Sequence, residues 1–241
     1  MPRAGSSFVL RAIFALIGLL SARPLAACGL TPPIGATGLP ATCRGDAGGV
    51  KGRVGVAVGG TSTRIDFGNQ SSPLLQGALS ATLDLLPSER LSLSGSLGSA
   101  LPGRIDYGGE RFQLSAGPLV GVGAGYRLFG GRAPFLHASV SLSWARSRAV
   151  SPAGERSTFS SSDYRLGIAL GKTLAGWAAP FVVFRYFGAG TNWSLAGHGG
   201  DHYRYQVGAG AAFALSRQFD ALVELAFLGE RRATLGVGYN F

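Results

Sequence analysis

Apolar residues alternate with small or polar residues along most of this chain after its first fifty positions. The segment from Phe112 to Leu128 is the clearest example. Its even positions supply one mostly apolar face and its odd positions a small, polar face. The even set is Phe112, Leu114, Val120, Val122, Tyr126 and Leu128, and the odd set is Gln113, Ser115, Gly121, Gly123 and Arg127. A repeat of two is typical of a β-strand and does not form a single face on a helix.

The same pattern predicts about ten strands, with eight and twelve as alternatives. They cover roughly 51–65, 74–86, 89–102, 112–128, 134–147, 162–173, 179–192, 203–215, 218–228 and 232–241. A tilted strand crosses the hydrocarbon of a membrane with roughly 9–11 residues, which these lengths match. We predict short turns at one end of the sheet. At the other end we predict longer polar loops, over 66–73, 103–111, 149–161 and 194–202.

The composition favours a membrane barrel over other β folds. Of 241 residues, 39 are glycine, 46% are hydrophobic and only 14% are charged, whereas about a quarter are charged in soluble domains. After the N-terminal region no apolar run reaches the roughly 18 residues of a membrane-spanning helix. We therefore predict an all-β fold, a closed antiparallel up-and-down transmembrane β-barrel over 50–241, in which alternate residues face lipid. A secreted glycine-rich sandwich is the alternative.

The N-terminal residues are predicted to form a signal peptide over 1–27. Arg3 and Arg11 precede the apolar stretch Ala12–Leu20, and small residues follow at Ala26 and Ala27. Residues 28–49 are rich in Gly, Pro and Thr and predict a linker or a plug. Two hypotheses stand for Cys28: a disulfide with Cys43, or lipidation at a sequence that resembles a bacterial lipobox.

The last strand runs from Ala233 to Phe241 and alternates up to a terminal aromatic residue, with Tyr239 two positions earlier. This pattern resembles the C-terminal recognition signal of small bacterial outer-membrane β-barrel proteins. The resemblance covers nearly all of the mature chain but includes no motif of a particular family. It implies a multi-pass protein of a Gram-negative outer membrane, with the barrel-insertion machinery as a partner that recognises Tyr239 and Phe241.

Charged residues are predicted inside the barrel. The inward set is Arg53, Asp84, Arg90, Arg127, Arg165, Arg185, Arg204, Asp220, Glu224 and Arg232, with Lys51 and Lys172 on the same face. Opposite charges in a narrow barrel predict an ion-paired plug, since an unpaired buried charge is costly. Basic residues outnumber acidic ones in this set, so a narrow anion-favouring pore is a second hypothesis.

The formal net charge of +10 invites a nucleic-acid interpretation. The basic residues form no run or stripe, and an exported protein meets little nucleic acid, so we predict no nucleic-acid partner. Arginines near strand ends are predicted to face the phosphates of outer-membrane lipids and lipopolysaccharide.

Two arrangements raise the hypothesis of a hydrolase. His137 and Ser139 share one face of a strand, similar to the His-x-Ser motif of lipid A deacylases, although Val140 follows where that family carries a polar residue. Asp201 and His202 lie near a predicted rim and are similar to the Asp and His of omptin proteases. The omptin pair is separated by one residue, whereas these two are adjacent.

The sequence thus favours a structural or surface-interaction barrel, with the narrow pore as a variant of that function and a rim hydrolase as the alternative. No pattern of metal ligands or of cofactor binding is present, so no metal or cofactor is predicted.

Overall fold

The computed structural model describes residues 52–88, 90–129, 134–174, 177–216 and 218–241. The predicted signal peptide over 1–27, the segment 28–49 with Cys28 and Cys43, and Lys51 lie outside the described residues. No helix in the described ranges is long and apolar enough to cross a membrane.

Every element in these described ranges is a β-strand, and each strand is antiparallel to its neighbours. The strands are β1 Gly52–Phe67, β2 Gln70–Leu85, β3 Leu91–Tyr107, β4 Glu110–Leu114, β5 Gly117–Phe129, β6 Pro134–Val150, β7 Arg156–Lys172, β8 Ala178–Trp193, β9 Gly197–Asp201, β10 Tyr205–Ala214, β11 Phe219–Gly229 and β12 Arg231–Asn240. β12 pairs with β1, so the hydrogen-bonded order returns to its starting strand.

The twelve segments in the described ranges occupy ten positions around this ring. β4 and β5 both pair with β3 and β6, so they are one strand that is interrupted at Ser115 and Ala116. β9 and β10 likewise share β8 as a partner. The predicted all-β antiparallel up-and-down architecture is confirmed.

The ring narrows away from the chain termini. The β11–β12 hairpin ends at Glu230, and beyond it β9 pairs directly with β1, through Ile65 with Asp201 and Asp66 with Gly200. Ten strands therefore surround the half that holds the termini, and eight surround the far end. The carboxylate of Glu230 lies beneath the β9–β1 seam and is buried.

The prediction of longer polar loops at the far end is wrong for most of the ranges concerned. β1, β2, β3, β6, β7 and β8 each have 16 or 17 residues and run through most of those ranges. Gly68 and Asn69 alone join β1 to β2, and Gly108 and Gly109 join β3 to β4. Gly68 has φ of 57° and Gly108 of 63°, a left-handed conformation that glycine adopts without strain.

The strand alternation separates a buried face from an exposed one. In β12, Leu235 and Val237 are exposed, while Thr234 and Asn240 are buried. The predicted parity is wrong for Phe112 and Leu114, which are buried, and for Gln113, which is exposed. The break at Ser115 and Ala116 is the reason, because one extra residue exchanges the faces of a strand.

Candidate functional site

The interior begins, near the termini, with an ion-pair cluster around Arg53 of β1. Its guanidinium donates to Asp84 of β2 at 3.0 Å and to Asp220 of β11 at 3.0 and 3.1 Å. Asn240 of β12 donates to Asp220 at 2.9 Å. A Cβ on Gly238 would overlap the Arg53 guanidinium, so glycine is required beside it. The cluster thereby joins the first strand to the last two.

A second cluster lies at mid-height on β8, β10 and β11, so it shares β11 with the first cluster. Arg185 of β8 and Glu224 of β11 form a bidentate pair with distances of 2.6 and 2.7 Å, and both side chains are 0% exposed. The amide oxygen of Gln206 accepts a further hydrogen bond from Arg185 at 2.7 Å. Bidentate geometry of this kind is the strongest form of a charged hydrogen bond in proteins.

The third cluster holds the tip of the β11–β12 hairpin. Arg165 of β7 donates to both carboxylate oxygens of Glu230 at 2.9 and 3.0 Å, and to Asp163 at 2.6 Å. Arg232 lies 3.6 Å from the Glu230 carboxylate. The side-chain amide of Gln206 donates a hydrogen bond to the same carboxylate at 3.0 Å. Gln206 therefore connects the second cluster to the third.

The structure changes the inward charge set that the sequence predicts. Arg90 and Arg204, expected inside, are exposed in connections between strands, and Lys172 is exposed as well. Three inward carboxylates were not predicted: Asp163, Asp201 and Glu230. Among the described residues the interior holds six carboxylates and five guanidiniums, namely Asp84, Asp163, Asp201, Asp220, Glu224 and Glu230 against Arg53, Arg127, Arg165, Arg185 and Arg232.

Two apolar layers fill the space between and beyond these charges. The layer nearer the termini consists of Phe135, Ala169, Ala179, Phe181, Val183, Ala212, Ala214 and Leu222. The layer at the far end consists of Ile65, Phe67, Ile105, Phe112, Leu114, Ala149, Phe159 and Trp193. We call the far layer the aromatic cap.

Trp193 occupies the centre of the aromatic cap. Its ring makes edge contacts with Phe112 at a centroid distance of 5.0 Å, Tyr107 at 5.3 Å and Phe67 at 5.7 Å. The indole Nε1 donates to Ser157 Oγ at 2.8 Å, and the side chain is 0% exposed. Because these partners come from β1, β3, β4 and β7, the cap joins opposite walls.

No protein-family model and no curated protein matches the chain. Among solved structures, the transport unit of the autotransporter AIDA-I from Escherichia coli aligns with a TM-score of 0.51 at 13% identity, over 81% of this chain and 92% of that one. The chain has the fold of outer-membrane β-barrel proteins. The translocator domain of the autotransporter NalP from Neisseria meningitidis aligns with a TM-score of 0.49 at 12% identity, over 81% and 90% of the two chains. At such identities the likeness concerns the fold alone.

The outer-membrane barrel fold does not bring His137 and Ser139 together as a catalytic pair. The Ser139 hydroxyl donates to the Gly167 carbonyl at 3.5 Å. Both ring nitrogens of His137 are buried and have no hydrogen-bond partner among the described residues. The imidazole packs instead against Gly125, where a Cβ would lie 2.5 Å from Nε2. An acyl-transfer mechanism requires a base in contact with the nucleophile, which this arrangement lacks.

Asp201 and His202 point in different directions. The Asp201 carboxylate has a buried oxygen and interacts electrostatically with Asp163 and Glu230 inside the barrel. His202 is exposed at the rim, and its Nδ1 lies 3.0 Å from Asp66 Oδ2. The omptin-like pair is therefore not assembled, because adjacent strand residues face opposite sides.

The pair of Asp66 and His202 is the one exposed interaction that changes a pKa at this rim. Partial burial raises the pKa of the Asp66 carboxyl, but hydrogen bonds from Ser71 and His202 and the charge of His202 outweigh it. The pKa therefore lies below its ordinary value. Within the described ranges, no group of three or more His, Cys, Asp or Glu side chains is placed to hold a metal ion.

Proposed function

We propose that this chain is an integral protein of the bacterial outer membrane whose closed, ion-paired barrel has a structural or surface-interaction role and does not conduct ions. One observation carries the proposal. The described interior holds three ion-pair clusters and two apolar layers, which follow one another from the end with Gly52 and Phe241 to the far end. Such an interior holds the strands of the barrel together. Interactions with other molecules would then be made by the outer surface.

The exposed face supports the membrane location. Large apolar side chains such as Val56, Leu97, Val122 and Leu142 are each more than 50% exposed, and they continue around the ring. A contiguous apolar surface of this size is not tolerated in water and indicates contact with lipid or a partner. Exposed aromatic residues border this apolar band, with Trp144, Tyr164, Tyr186 and Tyr205 on one side and Tyr126, Phe219 and Phe241 on the other. Interfacial girdles of membrane barrels have this arrangement.

The balance of interior charges argues against the anion-favouring pore. That hypothesis rested on an excess of basic residues in the lumen. With Arg90 and Arg204 exposed, and with Asp163, Asp201 and Glu230 inside, the described carboxylates match the guanidiniums closely. A lumen with no net positive charge would not favour anions.

Exposed arginines support a lipid partner. Arg64, Arg104, Arg146, Arg148, Arg156, Arg204 and Arg231 all lie in the half of the barrel away from the termini. We propose that the end with Gly52 and Phe241 faces the periplasm, so that this half is the outer one, where the lipid headgroups carry phosphate. Guanidinium groups bind phosphate with paired hydrogen bonds, so we propose contacts with phosphates of outer-membrane lipids and lipopolysaccharide.

Fractionation of cells that produce the full chain tests the proposed location. We expect the protein to sediment with the outer membrane and to migrate differently on a gel before and after boiling, as a folded barrel does. Recovery in the soluble periplasmic fraction, or migration that boiling leaves unchanged, would contradict the proposal. The proposed partner in insertion is the barrel-insertion machinery, which would recognise Tyr239 and Phe241 of the last strand.

A further inference from the structure

An open apolar groove lies on the outward face of the barrel. It has a volume of about 1030 Å³ and crosses β12, β1, β2, β3, β5 and β6. Its walls include Val56, Leu83, Leu97, Val122, Leu142 and Trp144. Gly95, a small residue on the same outward face, lets the groove reach the backbone of β3. Known binding sites for small molecules enclose roughly 300–1,000 Å³, so this groove is large enough to hold hydrocarbon chains.

A second, smaller depression with both polar and apolar lining residues lies on four strands from the same wall, farther from the termini. It has a volume of about 280 Å³ and is lined in part by Gly60, Gln76, Arg104 and Gln113. β3 contributes Leu97 to the groove and Arg104 to the depression. Leu97 and Arg104 are seven positions apart, which corresponds to about 23 Å along a regular strand.

The charge near the depression is positive. Arg104 is exposed, and no carboxylate of the described residues lies within ion-pair distance of it. The nearest outward acid on β3, Asp106, is occupied by Arg111 at 3.1 Å. Arg146 and Arg148, also exposed, continue β6 beyond Trp144 of the groove. An anion is therefore the complementary group for this end of the wall.

We propose that the groove and the depression together bind one phosphorylated lipid, with its acyl chains in the groove and its phosphate at Arg104 and Gln113. A guanidinium with a neighbouring amide donor suits a phosphate, and the apolar groove suits hydrocarbon. Neither part alone would select this ligand, whereas both in line along one wall match an anionic amphiphile. The inference rests on the proposed membrane function, since only a lipid-facing wall would meet such a ligand.

Native mass spectrometry of the folded protein in detergent tests this site. The two probes are a phosphatidic acid and a diacylglycerol with the same acyl chains, which differ only in the phosphate. We expect one phosphatidic acid to be retained, and diacylglycerol to be retained about tenfold less well. Arg104→Glu should weaken retention of phosphatidic acid by about tenfold. Arg90→Glu, at an exposed arginine outside both sites and outside the arginine set proposed to contact lipid, should leave it unchanged.

A second pair of variants tests the groove. Gly95 has no heavy atom within 4 Å of where a Cβ would lie, so Gly95→Phe should fold and fill part of the groove. Gly200→Phe is the matched control, because a Cβ there meets only the Ala189 carbonyl at 3.7 Å, outside the groove. We expect Gly95→Phe alone of the two to reduce retention.

Equal retention of the two probes, or equal effects of Arg104→Glu and Arg90→Glu, would overturn the site. So would unchanged retention in Gly95→Phe. Gel mobility before and after boiling establishes that each variant is folded. Because the assay uses detergent, a negative result from folded protein rejects the lipid site alone, whereas absence from the outer membrane rejects the proposed function.

Discussion

Replacement of Glu224 by alanine is expected to lower the free energy of unfolding of the barrel by about 3–5 kcal/mol. Arg185 and Glu224 are both fully buried and joined by two short hydrogen bonds. The variant removes the carboxylate and keeps a buried guanidinium, whose desolvation is then no longer offset by this partner. Urea unfolding, followed by tryptophan fluorescence and by gel mobility, measures the effect.

The double variant Arg185→Met/Glu224→Leu is the control for this prediction. Exchange of a buried ion pair for apolar residues of similar volume is often neutral or stabilising. We therefore expect the double variant to be more stable than Glu224→Ala. If Glu224→Ala is as stable as the original protein, water must solvate Arg185, and the closed interior is contradicted.

Replacement of Trp193 by alanine is expected to cost about 3–5 kcal/mol of stability. Trp193 is the centre of the aromatic cap and touches side chains from β1, β3, β4 and β7. The variant leaves a cavity between opposite walls that the rigid strands cannot fill. It also leaves Ser157 without the indole donor. The temperature at which gel mobility shifts on heating measures the loss.

Trp144→Ala is the matched control for the cap. Trp144 is on the outward face and 40% exposed, so its removal leaves no internal cavity. We expect a clearly smaller loss of stability than for Trp193→Ala. Equal losses in the two variants would show that the cap is not a packed core.

Most of the strands could be predicted from the sequence because one requirement produces their apolar alternation. That requirement is the contact of alternate residues with an apolar surface. That pattern holds in β12, where Leu235 and Val237 are exposed and Thr234 is buried. The inward placement of Arg53, Asp84, Arg185 and Glu224 follows from the same parity.

The pattern failed where a strand departs from regular geometry. Because of the break at Ser115 and Ala116, the side chains of Phe112 and Leu114 face inward and belong to the aromatic cap. No sequence signal marks this break. Beyond the apolar band a strand needs no apolar alternation at all. The polar run Ser160–Ser162 therefore had the composition of a loop, although it lies within β7.

The sequence also fails to predict the third ion-pair cluster, and here the reason is different. Glu230 lies at a hairpin tip, where a charged residue normally faces water. Glu230 is buried because β9 pairs with β1 beyond the tip of the shorter β11–β12 hairpin. Asp163 shares the inward face of β7 with Arg165, because the two residues are two positions apart. Asp201 lies on β9, and only that closure places Asp201 and Glu230 near Arg165 and Arg232. Alternation within single strands contains no information about such a contact.

Single-channel recording in a planar bilayer tests the central claim most directly. The refolded barrel is shown to be folded by gel mobility and is then inserted, and the current is recorded in symmetrical and asymmetrical salt. The ion-paired clusters and the aromatic cap predict no discrete conductance steps from the folded protein. Regular steps with anion selectivity would contradict the closed interior and would establish a water-filled lumen.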